Sequence, residues 1–178
     1  MYELIEHKKL DAAAANIVFT NIPQNFSDLL IIVSSRNTDA STSGIRVRFN
    51  NDSDTYSSRY LYGSGGSASS GTLTNSASFY GTQNSYTANT FSSATVYIPN
   101  YTSSAVKPFS ADAVAENNAA STDLSLFSNL WDGTDPITQI SLAPSSGNLS
   151  QNSSATLYGI NRRSGIGRAP LAMGGYMS

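Results

Sequence analysis

The sequence predicts an all-β fold, and among all-β folds an antiparallel β-sandwich. Many short segments alternate apolar and polar residues with a period of two, the pattern of a strand that buries one face. These segments recur at intervals of roughly 8–15 residues with turn-forming residues between them, as in sandwiches and barrels. No segment sustains the apolar repeat of an amphipathic helix. Because 178 residues are close to the size of one domain, we expect one sandwich domain over residues 1–160.

The strand predicted at residues 45–49 is the clearest element. Ile45, Val47 and Phe49 share one face, and the two arginines between them take the other. The continuous apolar run 29–33 predicts a strand covered on both faces, because none of its positions is polar. In chain order, the predicted strands are residues 2–10, 17–22, 29–33, 45–49, 56–62, 72–80, 94–98, 110–116, 125–130, 137–142 and 154–160.

Two stretches have weak strand signals. Residues 63–71 consist of glycine and serine apart from one alanine, and their place between two predicted strands favours a projecting hairpin loop. Residues 161–178 form a basic, glycine-rich C-terminal arm with too few apolar residues for a core of its own. Ordering a residue costs about 1–2 kcal/mol that only contacts can offset, so we expect a partner to hold this extended arm in place; the alternative is that the arm folds back on its own sandwich.

The surface is predicted to be polar but mostly uncharged. Only 12% of the residues are charged, and serine, threonine, asparagine and glycine take the place of charged residues. Such a surface suits close contact between subunits, because no ion has to be desolvated. All twelve acids precede residue 161, whereas the arm carries Arg162, Arg163 and Arg168 and no acid. The folded part has no basic stripe, so we predict no binding of nucleic acid.

The chain is not predicted to enter a membrane. Its longest apolar run, residues 29–33, is far shorter than the stretch of about 20 residues that crosses a bilayer as a helix. The first nine residues carry charges where a signal peptide needs an apolar stretch. We therefore expect synthesis in the cytoplasm without a classical export signal.

The sequence offers little material for catalysis or for a cofactor. It has no cysteine, and its one histidine, His7, lies in a charged strand where we expect it at the surface. Asp52 and Asp54 have the oxygen density of a calcium loop but lack the pattern of an EF-hand, so a plain turn is favoured. Asp112 and Glu116 share a strand face with no sign of burial. We predict no enzymatic activity, no cofactor and no metal.

The aromatic content leaves one further possibility open. Ten tyrosines and one tryptophan exceed what the core of a small sandwich requires, and aromatic faces line both sugar-binding sites and protein interfaces. A carbohydrate-binding module is therefore an alternative to ordinary half-buried strand tyrosines. Six tyrosines flank predicted loops: Tyr56, Tyr60, Tyr62, Tyr80, Tyr86 and Tyr101.

A series of motifs, taken in order, resembles a known family. The motifs are Tyr2-Glu3-Leu4-Ile5, Ile17-Val18-Phe19-Thr20-Asn21-Ile22-Pro23-Gln24, Ile45-Arg46-Val47-Arg48-Phe49-Asn50, Tyr97-Ile98-Pro99-Asn100-Tyr101, Pro108-Phe109-Ser110-Ala111-Asp112, a segment ending at Trp131, Ile137-Thr138-Gln139-Ile140-Ser141-Leu142 and Ala155-Thr156-Leu157-Tyr158-Gly159-Ile160. Over residues 2–160 the chain resembles small virion proteins of tailed bacteriophages that infect aquatic bacteria, the cyanophages among them. The resemblance implies a jelly-roll-like sandwich on the head or the tail of the particle, and it transfers no active-site residue.

Taken with the arm, this resemblance favours a capsid decoration or cement protein, located in the virion after synthesis in the host cytoplasm. The expected partners are the major capsid protein or another virion protein, together with further copies of the chain as a homo-oligomer, for which a trimer suits the local three-fold positions of a capsid. A tail or fibre-tip adhesin that contacts the host is the alternative within this class. The arm residues expected to bind a partner, through charge or as apolar anchors, are Arg162, Arg163, Ile166, Arg168, Leu171, Met173 and Tyr176.

Overall fold

The structure of the protein, a computed structural model, describes residues 1–41, 44–53, 55–118 and 122–161. Within these ranges the regular elements are strands, which form two antiparallel sheets. The prediction of an all-β sandwich is confirmed. The strands are β1 (Tyr2–Lys9), β2 (Ile17–Phe19), β3 (Asp28–Ser35), β4 (Gly44–Phe49), β5 (Tyr56–Ser64), β6 (Ser67–Thr74), β7 (Ser78–Tyr80), β8 (Ser92–Pro99), β9 (Lys107–Ala115), β10 (Asp123–Trp131), β11 (Ile140–Pro144) and β12 (Ser154–Ile160).

The order of the strands is that of an extended jelly roll. The large sheet has eight strands in the order β1-β12-β3-β8-β9-β10-β5-β6, and the small sheet has four in the order β2-β11-β4-β7. If the hairpin β5–β6 and the meander β8–β10 are each counted as one leg, the legs of the chain alternate between the two sheets as they do in a jelly roll of two Greek keys. Strands β1, β12, β3 and β8 then form one four-stranded layer of the jelly roll, and β9, β10, β5 and β6 extend the large sheet beyond β8.

The core lies between the two sheets and is built by strict alternation. In β4, Ile45, Val47 and Phe49 are fully buried, as predicted. Phe49 crosses the layer and meets two side chains of the large sheet, with ring centroids 4.9 Å from Phe109 and 5.5 Å from Trp131. Apart from Ala115, the buried apolar side chains of the described ranges form one cluster. The two sheets are therefore held together chiefly by the burial of apolar surface.

Strand β3 corrects the prediction that residues 29–33 would be covered on both faces. Leu29, Ile31 and Val33 are buried, but Ile32 leaves 46% of its surface exposed. The apolar run is continuous because an outward apolar residue sits between inward ones, so this strand is not sandwiched between two layers. Whether another layer covers the outward face of a strand depends on the rest of the fold, so the sequence of the strand alone does not predict it.

Residues 63–71 are not the projecting loop that their composition suggested. Most of them belong to β5 and β6, which pair antiparallel from Ser64 and Ser67 at the turn to Ser57 and Thr74. Only a two-residue turn is left, with positive φ at Gly65, which glycine adopts without strain. The result is a paired ribbon at the edge of the large sheet.

The single strand predicted over residues 72–80 is divided into two strands. Strand β6 ends at Thr74 and β7 begins at Ser78, and the two belong to different sheets. Between them, Asn75 adopts a positive φ of 54°, which breaks the extended conformation. The chain uses asparagine in this way repeatedly: among the described residues, the non-glycine positions with positive φ are Asn21, Asn50, Asn51, Asn75, Asn89, Asn100, Asn118 and Asn152.

Two further predicted strands are displaced. Strand β2 ends at Phe19, three residues earlier than predicted, because Asn21 turns the chain with a positive φ. Strand β11 begins at Ile140 and continues to Pro144, whereas residues 137–142 were expected. The side chain of Asn50 holds the preceding segment away from the ladder, since its Oδ1 accepts hydrogen bonds from the backbone N–H groups of Thr138 and Gln139.

Candidate interaction surface

The arm residues predicted to bind a partner lie outside the described residues. They are Arg162, Arg163, Ile166, Arg168, Leu171, Met173 and Tyr176. The point at which the arm begins is defined, because Asn161 is paired with Met1 through two backbone hydrogen bonds of 3.1 Å and 3.2 Å. The arm therefore starts at the end of β12, at the corner of the large sheet formed with β1.

The turn after β4 uses its oxygens within the protein. Asp52 Oδ2 accepts a hydrogen bond of 2.8 Å from the indole Nε1–H of Trp131 and another from the hydroxyl of Thr55. Asn51 Oδ1 accepts one from Gln139 Nε2. Asp54 lies outside the described residues. Among the residues that the structure describes, no three or more His, Asp or Glu side chains are grouped so that they could hold a metal ion.

The remaining candidates for acid–base chemistry are dispersed. His7 is exposed on β1, where its Nδ1 lies 2.8 Å from the hydroxyl of Thr156. Asp112 and Glu116 are exposed, as the alternation in β9 predicted. His7 belongs to a strand at one edge of the large sheet, whereas Asp112 belongs to β9 in its interior and Glu116 follows the end of β9. The histidine and the carboxylates are thus not brought to one site.

Two of the tyrosines considered for sugar binding are buried. Tyr56 is 4% exposed, and its hydroxyl accepts a hydrogen bond of 2.7 Å from the backbone N–H of Phe49. Burial raises the pKa of its hydroxyl. Tyr101 is fully buried, and its hydroxyl donates to the carbonyl of Pro23. Both residues therefore serve the packing of the sandwich.

Three more of these tyrosines form an aromatic cluster with Phe127. Tyr60 stacks on Phe127 with centroids 5.0 Å apart, and Tyr80 meets the same ring edge-on at 5.2 Å. Tyr62 meets Tyr80 at 5.8 Å. The sixth, Tyr86, donates its hydroxyl proton to the carboxylate of Asp123. The rings that the sequence suggested for ligands contact one another or neighbouring protein groups.

Arg36, which the sequence did not single out, organises the loop before β8. Its guanidinium donates hydrogen bonds of 2.9–3.0 Å to the backbone carbonyls of Asn84, Tyr86, Thr87 and Thr90. A buried guanidinium with several carbonyl partners is well suited to hold an irregular loop, because it has five N–H donors. Burial lowers the pKa of Arg36.

Lys107 is a second buried cation that the sequence did not single out. Its Nζ donates hydrogen bonds of 2.5 Å to the carbonyl of Ala105 and 3.2 Å to that of Thr134, and it lies 5.5 Å from the ring centroid of Trp131. Burial lowers the pKa of Lys107, and Asp135 partly offsets this effect. Both buried cations therefore have structural partners.

The outward face of the large sheet carries apolar side chains that no strand of the described chain covers. Leu61 of β5 lies opposite Leu126 of β10, and Leu124 of β10 lies opposite Val114 of β9. Their exposed fractions are 60%, 55%, 62% and 45% in that order. We call these four residues the corner patch. Contiguous exposed apolar surface of this kind is typical of interaction sites.

Three acids lie around the corner patch. Asp112 lies opposite Leu126 on the same face, Glu116 follows the end of β9, and Asp123 begins β10. Leu124 and Leu126 line one shallow depression with Asp112, and Leu124 lines a second one with Glu116 and Asp123. The patch thus combines apolar surface with acids, and Arg59 of β5 borders it beside Leu61 and Leu126.

A second group of apolar side chains lies at the other end of the same face. Leu4 of β1, Tyr158 of β12 and Leu30 of β3 lie in one row across the sheet. Ile32 lies in the next row, and Tyr2 lies near the end of β1. We call these five residues the edge patch, and four of them line one depression. Sequence alternation identified the strands that carry both patches, but the pairing of distant strands assembles them.

Comparisons with known proteins add no further identification. No family model matches the chain, and no match was found among curated proteins or solved structures. In the part of the chain that the structure describes, no helix is long and apolar enough to span a membrane. The resemblance to virion proteins therefore stays a prediction.

Proposed function

We propose that this protein is a structural component of a bacteriophage particle, a decoration or cement protein that binds the capsid lattice through the outward face of its large sheet. The observation that carries the proposal is the uncovered apolar surface of that face, in a sandwich whose remaining surface is mostly neutral. Apolar surface that faces solvent in the single chain is stabilised when a partner protein covers it. The low charge of the chain reduces the cost of such a contact, because few ions have to be desolvated.

The architecture agrees with this role. A jelly-roll sandwich is rigid and offers a broad sheet face, and viral capsid domains commonly use this architecture. The alternative of a carbohydrate-binding module has less support from the contacts within the chain. A carbohydrate-binding module requires aromatic faces open to a sugar, whereas the tyrosines first considered for that role pack against protein groups or bond to them.

The expected partner is the major capsid protein or another virion protein, and further copies of this chain would complete the contact as a homo-oligomer. A trimer would place three outward faces around a local three-fold axis of the lattice. Sedimentation equilibrium of the purified full-length protein tests this part: a trimer supports it, and a monomer at all concentrations contradicts it.

The capsid contact is tested with particles assembled from the major capsid protein of the same phage. Full-length protein is mixed with the particles, and bound protein is measured after sedimentation. We expect the double variant Leu4→Thr, Ile32→Thr, which makes the edge patch polar, to lose binding by about tenfold or more. The matched control is Val18→Thr, which removes a half-buried apolar group on the outward side of the small sheet.

Three outcomes would count against the proposal. Absence of binding by the unaltered protein would contradict capsid decoration, and equal loss with Val18→Thr would contradict the assignment to the large sheet. Binding to host cells in place of the particles would favour the tail adhesin. A deletion of residues 162–178 adds a test of the arm: it preserves the pairing of Asn161 with Met1, and the cement role predicts weaker retention on the particle.

A further inference from the structure

We propose that the corner patch of one molecule is the binding site for the C-terminal arm, residues 162–178, of a second copy. The contact requires only this chain, so it does not depend on the capsid partner proposed above. The proposal assigns the arm to the corner patch, at the end of the outward face that is flanked by acids. The edge patch stays available for other contacts.

The arm and the corner patch match in apolar character. Leu61, Val114, Leu124 and Leu126 are each between 45% and 62% exposed. They form two adjacent cross-strand pairs on one flat face. The arm contributes four apolar side chains spaced along a glycine-rich segment, and glycine allows a backbone to approach a sheet closely. These four are Ile166, Leu171, Met173 and Tyr176, and Met177 beside Tyr176 adds a fifth.

The two surfaces also match in charge. On the outward face, the corner patch is flanked by Asp112 and Glu116. Asp123 begins β10 on the inward side, where its carboxylate accepts a hydrogen bond from Tyr86, and Arg59 lies beside Leu61 and Leu126. The arm carries three arginines and no acid. Arginine presents a planar set of donors that pairs with carboxylates, and opposite charges at the rim of an apolar contact set its orientation. The basic arm is therefore complementary to this end of the face, whereas the edge patch has no such acidic flank on its outward rows.

The distance between the start of the arm and the corner patch favours an arm that comes from another molecule. Asn161 follows β12, and β10 lies four strands away in the sheet, at a spacing of about 4.8 Å per strand. Leu124 also lies at the opposite end of the strands, so it is about 30 Å from Asn161. Within one molecule, Arg162 and Arg163 stay within about 7 Å of Asn161 and cannot approach the acids. In a second copy all three arginines can do so.

The contact can be measured by cross-linking, because the chain has no cysteine of its own. Two full-length single-cysteine variants with different tags are mixed and treated with a short bifunctional maleimide. One carries Ala172→Cys in the arm, and the other carries Ser70→Cys, which lies opposite Leu61 at the patch. The control replaces the second variant with Ser104→Cys, an exposed residue in the loop between β8 and β9 at the far end of the strands.

We expect the pair with Ser70→Cys to give about tenfold more mixed dimer than the pair with Ser104→Cys, as for a contact that orients the arm. Replacing the three arginines by glutamine in the arm variant should reduce the yield about tenfold, while replacing them by lysine should retain most of it. Equal yields with Ser70→Cys and Ser104→Cys would overturn the proposal. A chain with both Ala172→Cys and Ser70→Cys that gives only intramolecular product would overturn the assignment to a second copy. Capsid binding by the edge patch is measured separately, so failure of either proposal leaves the other open to its own test.

Discussion

The outward faces of the two sheets differ although the same alternation builds both. On the small sheet, Arg46 donates a hydrogen bond to the carbonyl of Ser145, and Arg48 donates one to that of Asn75 and covers the ring of Tyr56 at 4.7 Å. These long side chains lie along the protein and donate hydrogen bonds to its backbone carbonyls. The small sheet therefore presents a polar outward face that bonds to its own chain.

The large sheet presents the opposite arrangement. Its outward rows carry leucine, isoleucine and valine at both ends, with threonine, serine and acids between them. The chain places no layer over these rows within the ranges that the structure describes. The comparison teaches that one face of this sandwich is complete in the single molecule and the other is suited to a partner. The first and the last of the following predictions test that difference directly, and the other two test buried groups that complete the single molecule.

The largest effect is expected from two neighbouring residues of β10 that point to opposite faces. Phe127 is 1% exposed and lies in the aromatic cluster, so Phe127→Ala should lower the free energy of unfolding by about 3–5 kcal/mol. Leu126→Ala, on the outward face, should change it by less than about 0.5 kcal/mol. Urea denaturation of both variants provides the measurement. A comparable loss for Leu126→Ala would mean that another part of the chain covers the corner patch.

A smaller effect is expected from the buried arginine before the loop that precedes β8. Arg36→Leu leaves several carbonyls without their donor and should cost about 2–3 kcal/mol. Arg59→Ala, an exposed arginine on the outward face of β5, is the matched control and should cost less than about 0.5 kcal/mol. Thermal and urea unfolding would reveal the difference, and equal losses would contradict the loop-anchoring role.

The stability of the protein should fall at alkaline pH. Burial, helped by the hydrogen bond to Asp123, raises the pKa of Tyr86 from its ordinary value of 10 to about 12. The folded chain then holds a proton that the unfolded chain releases, so this stabilisation is complete below about pH 10 and is lost as the pH rises toward 12. We expect the melting temperature to fall less steeply over this range in Tyr86→Phe. Identical slopes would contradict the tyrosine's contribution.

The smallest effect on the free energy of unfolding is expected from substitutions on the two outward faces, which can be compared directly. The double variant Leu124→Thr, Leu126→Thr should leave the free energy of unfolding within about 0.5 kcal/mol while reducing the binding of a hydrophobic dye to the native protein. Val18→Thr on the small sheet should leave dye binding unchanged. Fluorescence titration of the native proteins measures this, and dye binding unaffected by the double variant would contradict an open corner patch.

Much of the fold could be predicted from the sequence because alternation is a local property. Ile45, Val47 and Phe49 face inward as their period of two indicated, and Ala155 and Leu157 do the same in β12. The turn favoured at Asp52 follows β4 directly, where Asn50 and Asn51 adopt positive φ. The glycine and serine ribbon β5–β6 was mistaken for a loop, because its stability comes from its partner strand and not from strand propensity.

The candidate surface could be predicted only in part. The sequence identified the basic arm and the apolar residues that it carries, but it gave no indication of where the arm would bind. Leu61, Val114 and Leu124 come from three separate segments, and only the pairing of β5, β9 and β10 brings them together. Arg36 and Lys107 likewise resemble surface cations in the sequence, and their carbonyl partners are supplied by distant loops.

By itself, the sequence determined that this chain forms strands and which side of many of them faces the core. These properties depend on neighbouring residues and on intrinsic backbone preferences. The tertiary structure alone decided which strands share a sheet, which outward rows remain uncovered and which charged groups are buried. Those properties depend on contacts between residues far apart in the chain, and a local period of two carries no information about which surfaces the folded chain will cover.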